Sequence, residues 1–445
     1  MGPGIITGSS DDDPSAITTY SQAGAQFGFG LLWLVIMLCP LIIAIQEMCA
    51  RIGIATGGGL AFTIKKKYSN KVVYPIISLL LIANIINIGA DIGAMTASLK
   101  LLFPQIPAII ASISFVVVIL LLEIIIPYKQ YAKILRLFAL FLLVYVLTAL
   151  IVGGNIFEIM NYSLIPHVEL NYNFSMMIVA IIGATFSPYL FFWQTSEEAE
   201  EEVAQNKIKE ISEINRNSIK NKKNRKNITN RKIKNYDINN VPKATKEEIR
   251  LMRMDIVTGM TFVQIISWSI IITTAGSQHN NGITYIQTAD QASNALEPLV
   301  HSFPFSGIIS KTIFAVCIIG IGFVSIPVLS GSCGYVLADL FEWKQGLSKK
   351  FHQAKEFYFV ISFATGIGLW ITMININPIQ ILVYSAVING IISSPILVAI
   401  VKISNDKDIL KDKTNGKLSN ILGLIAIIIT ISAVLIMLFS KMFKS

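Results

Sequence analysis

About eleven times along the chain an apolar run recurs that is long enough to cross the roughly 30 Å of hydrocarbon in a bilayer. The runs fall near 4–27, 29–54, 74–100, 106–127, 134–154 and 174–195. After a polar insert they continue near 255–276, 307–336, 356–376, 379–402 and 419–440. A single buried core could not absorb so much apolar surface. The composition agrees: 53% of the 445 residues are hydrophobic, 14% are charged, and the mean hydropathy is +0.63. Soluble domains carry roughly 25% charged residues. The chain therefore reads as an all-α polytopic membrane protein of about eleven transmembrane helices, with the lipid bilayer as its partner.

The net charge of +9 is a topology signal and not a nucleic-acid one. Basic residues cluster in alternate loops: Lys65, Lys66 and Lys67; Lys129, Lys133 and Arg136; Lys344, Lys349, Lys350 and Lys355; and Lys402, Lys407, Lys411, Lys413 and Lys417. The loops at 155–173 and 277–305 are poor in Lys and Arg. The positive-inside rule then places the N-terminus in the cytoplasm and the C-terminus outside, with Lys441 and Lys444 running against the trend. Usage of Ile, Asn and Lys is high, as in AT-rich bacterial genomes, so a bacterial inner membrane is the expected location. Met1-Gly2-Pro3-Gly4 lacks the features of a cleavable signal. Cys39, Cys49, Cys317 and Cys333 lie inside apolar runs without paired spacing, so neither a disulfide framework nor a thiolate cage is expected. Gly57-Gly58-Gly59 lacks the Lys-Ser/Thr of a phosphate loop, which argues against ATP drive. No cofactor is expected.

The first run carries the chemistry. Gly4–Ser10 is a short apolar half-helix, interrupted by Asp11-Asp12-Asp13-Pro14-Ser15, and a helix resumes from Ile17. A charge at the centre of a membrane span costs several kcal/mol. Pro14 removes a backbone donor and disfavours helical geometry at Asp13. The helix is therefore expected to unwind here, which a membrane tolerates only where the backbone lines a cavity or is buried in protein. The competing reading is that the acids merely cap a helix, for which Asp-Pro-Ser is well suited. The sixth run favours the first reading. Gly183-Ala184-Thr185-Phe186-Ser187-Pro188-Tyr189 breaks a second span five spans after the first. Paired broken helices point to an inverted-repeat transporter with its site at the midplane. The expected division is a first five-span repeat over 1–154 and a second over 174–402. A basic cytoplasmic insert at 199–252 interrupts the second, and an extra span follows at 419–440. The acids Glu197, Glu198, Glu200, Glu201 and Glu202 ahead of the insert read as a solvated helix end, or as a cation-gathering or gating mouth.

Asp13 supplies a hard anionic oxygen, Ser187 a hydroxyl, and the unwound turns at Asp13 and Ala184 carbonyls. Met, Cys and His are missing from both breaks. Oxygen-only ligation suits magnesium, calcium or manganese over copper or zinc, and a small ligand set suits magnesium, which sheds its waters reluctantly. The four histidines, His167, His279, His301 and His352, lie in loops, so a histidine proton relay is not expected. Asp91 shares a polar face with Asn84 and Asn87. Glu47 is spaced to pair with Arg51, and Glu123 ends the fourth span. Ser325, Pro327, Ser330 and Ser332 form a kinked polar stretch that suits either the pathway or close helix packing.

These residues resemble the natural resistance-associated macrophage protein (NRAMP) family of divalent-metal transporters. The resemblance rests on Gly2-Pro3-Gly4, Asp13-Pro14, Gln22-Ala23-Gly24-Ala25, Ala50-Arg51-Ile52-Gly53-Ile54-Ala55-Thr56-Gly57, and Gly183-Ala184-Thr185 with Pro188. It implies the leucine-transporter type of 5+5 inverted repeat plus one span, with broken first and sixth helices. It also implies a metal site at Asp13, Ala16, Ala184, Ser187 and Tyr189. Three departures stand out: Ala16 replaces the family's Asn ligand, Ser187 its Met, and Tyr189 the neighbouring His. Together with the extended run Asp11-Asp12-Asp13, they are similar to the magnesium-transporting branch. That likeness implies a largely hydrated magnesium as transported substrate, manganese also accepted, and no proton coupling. Asp13 would be the principal ligand, with Asp12 and Asp11 concentrating cations or holding the hydration shell. The chain is expected to be a transporter and not an enzyme, functional as a monomer. The alternatives are a proton-coupled manganese/iron symporter, a channel, and a sodium-coupled amino-acid carrier.

Overall fold

The computed structural model describes residues 11–125, 140–169, 171–204, 245–374 and 377–442, and all regular structure among them is helical. The principal helices are α1 (Pro14–Phe27), α2 (Leu32–Thr56), α3 (Leu60–Lys67), α4 (Asn70–Leu102), α5 (Ala108–Ile125), α6 (Leu143–Val152) and α7 (Ile156–Leu164). They continue with α8 (Tyr172–Thr185), α9 (Pro188–Ala204), α10 (Lys246–Ser277), α11 (Ser306–Phe341), α12 (Lys355–Thr372), α13 (Pro378–Ser404) and α14 (Lys417–Met442). Lipid offers the backbone no partners, so a spanning segment must satisfy its own hydrogen bonds. Polar side chains start the helices where the chain leaves that regime. Asn171 accepts from the Phe174 N–H at 2.8 Å. Thr245 and Glu248 cap α10 reciprocally, and Asn377 caps α13 ahead of Pro378.

Among the described residues eight spans are long and apolar enough to cross a membrane, and the pair α6–α7, bent by 118°, makes a ninth. The other two expected spans are helical but short. The described part of the first, α1, has 14 residues, because the half-helix at Gly4–Ser10 lies outside the described residues. The ninth run, α12, has 18 residues and opens on Lys355 and Glu356. The expected insert also falls largely outside the described residues. Its edges are helical: α9 runs on to Ala204, and α10 begins at Lys246.

α1 lies at the centre, packed against α10, α13, α8 and α4. α4 runs along α11, α12 and α13. α8 crosses α13 at Gly183, where any Cβ would collide with the backbone of Ala386 and Gly390; Gly390 in turn abuts the Val179 carbonyl. Small residues of this kind let membrane helices approach closely. The outer helices α5 and α14 expose Ile110, Leu121, Leu424 and Ile428 to lipid.

Three helix ends meet at the face bearing the basic loops. Lys65 Nζ donates to the Leu340 carbonyl at 2.7 Å, and Lys67 Nζ lies 2.9 Å from Asp406 and 2.8 Å from the Lys402 carbonyl. These lysines satisfy carbonyls and oppose the negative helix ends. Arg51 pairs with Glu47 as spaced (3.6 Å) and also reaches Asn415 Oδ1 at 2.6 Å, while Glu47 is shared with Arg253. The acids at 197–202 are not a simple solvated helix end: Glu197, Glu198 and Glu202 are buried.

Candidate metal-transport site

The break in the first span falls at residues 12 and 13, which are not helical. Asp13 is extended (φ −63°, ψ 169°) and starts α1, with Pro14 in the first turn. Its Oδ1 accepts from the Ala16 N–H and the Ser15 hydroxyl, each at 2.7 Å. Capping thus accounts for Asp13, and the half-helix expected ahead of the break lies outside the described residues. Asp13 Oδ2 faces the other way and accepts from the Tyr189 hydroxyl at 3.3 Å, on the far side of the second break.

That break lies between Thr185 and Pro188. Ser187 Oγ donates to the carbonyls of Gly183 (3.1 Å) and Ala184 (3.0 Å), so it closes the broken turn upon itself. The hydroxyl expected to meet a cation or its water thus spends its proton on these two carbonyls. Tyr20 and Thr185 tie the two half-helices together at 3.0 Å. Ala16 is buried in α1 and brings no side-chain ligand.

Asp12 turns toward α10, where Ser267 Oγ donates to its Oδ1 at 2.9 Å. Its Oδ2 and both Asp11 oxygens have no hydrogen-bond partner among the described residues, and Asp11, Asp12 and Asp13 are each only 1% exposed. Asp91 accepts from Ser325 at 2.8 Å through one oxygen and leaves the other unpartnered. Tyr189 sits where the fields of Asp13, Asp11 and Asp91 converge. Further along, Ser330 donates to Glu123 at 3.1 Å, so two serines of α11, Ser325 and Ser330, serve buried acids. Sequence reasoning did not single out Ser267. Its signal was weak: a small hydroxyl in Ser267-Trp268-Ser269 within an apolar run. Among the described residues no three His, Cys, Asp or Glu side chains form a ready metal cage. The arrangement brings carboxylate, hydroxyl and carbonyl oxygen together where the start of α1 meets the break between α8 and α9.

A helix broken between α8 and α9, its break set against the start of α1 inside a bundle of long apolar helices, belongs to the leucine-transporter type of multi-pass membrane fold. Residues 4–440 match the family described as natural resistance-associated macrophage protein-like, and the chain belongs to that family, which is not one of enzymes. A Staphylococcus haemolyticus protein named divalent metal cation transporter MntH is 33% identical over 205 residues, spanning 44% of this chain and 45% of that relative's length. A Yersinia enterocolitica protein of the same name is 24% identical over 97% of this chain and 92% of the relative. Among solved structures, an Eremococcus coleocola manganese transporter superposes with a TM-score of 0.69 at 18% identity, covering 99% of this chain and 85% of that one. At that identity the likeness speaks to fold.

Proposed function

We propose that this chain carries hard divalent cations, magnesium and also manganese, across a bacterial inner membrane by alternating access and without proton coupling. The family, and the names carried by the Staphylococcus and Yersinia relatives, support divalent-metal transport as the class. The observation that carries the cation site is the set of buried carboxylate oxygens on Asp11 and Asp12 that lack partners beside Asp13 in the break. An uncompensated buried carboxylate is costly, and a bound cation removes the cost.

The hard-cation reading draws on what the two breaks supply. With Ala16 and Ser187 in place, the site offers oxygen but neither thioether nor imidazole, which favours magnesium and manganese over softer metals. Asp13 is the principal ligand. Asp12 and Asp11 hold the hydration shell, and Tyr189, Ser187, the Ala184 carbonyl and the small Ala16 complete the site. The two repeats are 1–154 and 174–402, with 419–440 added, and the N-terminus is cytoplasmic.

The test is magnesium uptake into proteoliposomes loaded with a magnesium-sensitive dye. Saturable uptake is expected from the wild type and none from Asp13→Ala. Wild-type vesicles that take up manganese but no magnesium overturn the substrate assignment, and an active Asp13→Ala variant overturns the site.

A further inference from the structure

α9 connects the site to the face of the molecule bearing the basic loops. Tyr189, at its start, touches Asp13, and Glu200 lies about 16 Å further along the axis at 1.5 Å per residue. There the Glu200 carboxylate enters a cradle made by α11 and the loop that follows it. The Tyr335 hydroxyl donates to Glu200 Oε2 at 2.5 Å, and the Leu347 and Ser348 N–H groups donate at 3.2 and 2.8 Å. Gly346 is required twice over: its φ of +123° is disfavoured for other residues, and a Cβ there would lie 2.8 Å from a Glu200 carboxylate oxygen. The Tyr335 hydroxyl also reaches Glu197 at 3.0 Å. A cavity of about 80 Å³ opens beside this contact, lined by Ser196, Glu200, Tyr335 and Asp339. Nearer the site, α9 meets α11 again where Ser332 Oγ donates to the Tyr189 carbonyl at 3.2 Å.

We infer that Glu200, held by Tyr335 and the Gly346–Ser348 backbone, is a latch that keeps the basic-loop side of the transport pathway closed. The inference rests on the alternating-access reading above. Successive backbone N–H groups cupping an anion form a nest, and this one is filled from within the chain by an acid on a different helix. Its donors sit on α11 and its loop, whereas its acceptor sits on the half-helix that ends at the site. The site residues are buried while the latch is made. For α9 to swing away from α11 and open the site on this side, all three bonds to Glu200 must break. A hydrogen bond to a charged group contributes enough that losing it shifts a two-state equilibrium by about tenfold.

The test uses full-length protein in inside-out vesicles, with Cys39, Cys49, Cys317 and Cys333 replaced by Ala and a reporter introduced as Ser332→Cys. Ser332 is fully buried between α9 and α11, so a membrane-impermeant maleimide added from the basic-loop side labels it slowly when the latch is intact. Glu200→Gln and Gly346→Ala are expected to raise the labelling rate about tenfold, and Tyr335→Phe, which removes one donor, to raise it less. If Glu200→Gln or Gly346→Ala fails to fold, Tyr335→Phe decides. A labelling rate within about twofold of the parent in monodisperse variants overturns the latch. Labelling requires no metal movement. A latch that responds in a protein without cation uptake would leave this inference standing while the transport reading fell.

Discussion

At the scale of the residue, Asp13 divides its two oxygens between incompatible jobs. Oδ1 is spent on starting α1, with the Ala16 N–H and the Ser15 hydroxyl as donors, and only Oδ2 faces the second break. Asp13→Asn keeps an acceptor for the cap but removes the anion, so it separates the roles: folded protein is expected in normal yield, with uptake lost. Reduced thermal stability matching that of Asp13→Ala would show that the carboxylate serves the cap more than the cargo. Ser187 is the other informative position. A thioether there adds a softer ligand, and it also releases the Gly183 and Ala184 carbonyls now held by the hydroxyl. Ser187→Met is expected to raise the ratio of manganese to magnesium uptake several-fold in competition assays. An unchanged ratio would mean that this side chain is too far from the ion to choose among metals.

At the scale of the element, two contacts set how helices meet. The α8–α13 crossing depends on Gly183 lying against the backbone of Ala386 and Gly390. Gly183→Leu must push the two helices apart, and overpacking of this kind costs about 1–3 kcal/mol. The expected result is a lower melting temperature in detergent together with impaired uptake, because α8 carries one side of the break. The tie between α3 and the end of α13 is weaker and depends on pH. Partial burial pushes the Asp406 carboxyl up, but the Lys67 ammonium and the N–H groups of Asp408 and Ile409 outweigh it and hold the acid below the usual carboxylate range. An acid with a depressed folded-state pKa contributes stability above its unfolded pKa, and that contribution is lost as the pH falls through the folded value. Lys67→Ala is therefore expected to be less stable than the parent near pH 7, by no more than about 1 kcal/mol for so exposed a pair. The difference should shrink as the pH falls below the usual carboxylate range and vanish only well below the depressed folded value, where the acid is neutral in both states. Thermal melts of the two proteins across that range check this, and a deficit that persists in acid would assign the loss to the bond between Lys67 and the Lys402 carbonyl.

At the scale of the whole molecule, local chemistry was legible and long-range pairing was not. Pro14 behind three acids, and Gly183 with Pro188, mark both breaks because each residue disturbs the helix in which it sits. The burial of Glu197 and Glu202, the turn of Asp12 toward Ser267, and the cradle around Glu200 depend on segments tens to hundreds of residues away, and no local pattern announces them. The same distinction bears on energy coupling. A proton-coupled carrier needs titratable side chains that relay from the site to one face. Here His167, His301 and His352 lie outside the long spans, His279 sits in the turn just past α10 with its Nδ1 2.9 Å from the Ala25 carbonyl, and the position after Pro188 holds a tyrosine. Asp91 lies near the site, but one oxygen is taken up by Ser325. Uptake is therefore expected to follow the cation gradient and membrane potential. Vesicles that contain a pH dye should show no acidification during magnesium or manganese entry, and their initial rates should not depend on an imposed pH gradient. Acidification that scales with metal uptake and disappears in Asp91→Asn would reassign the chain to proton-coupled symport, with Asp91 as the proton carrier and the cation site at Asp13 unchanged.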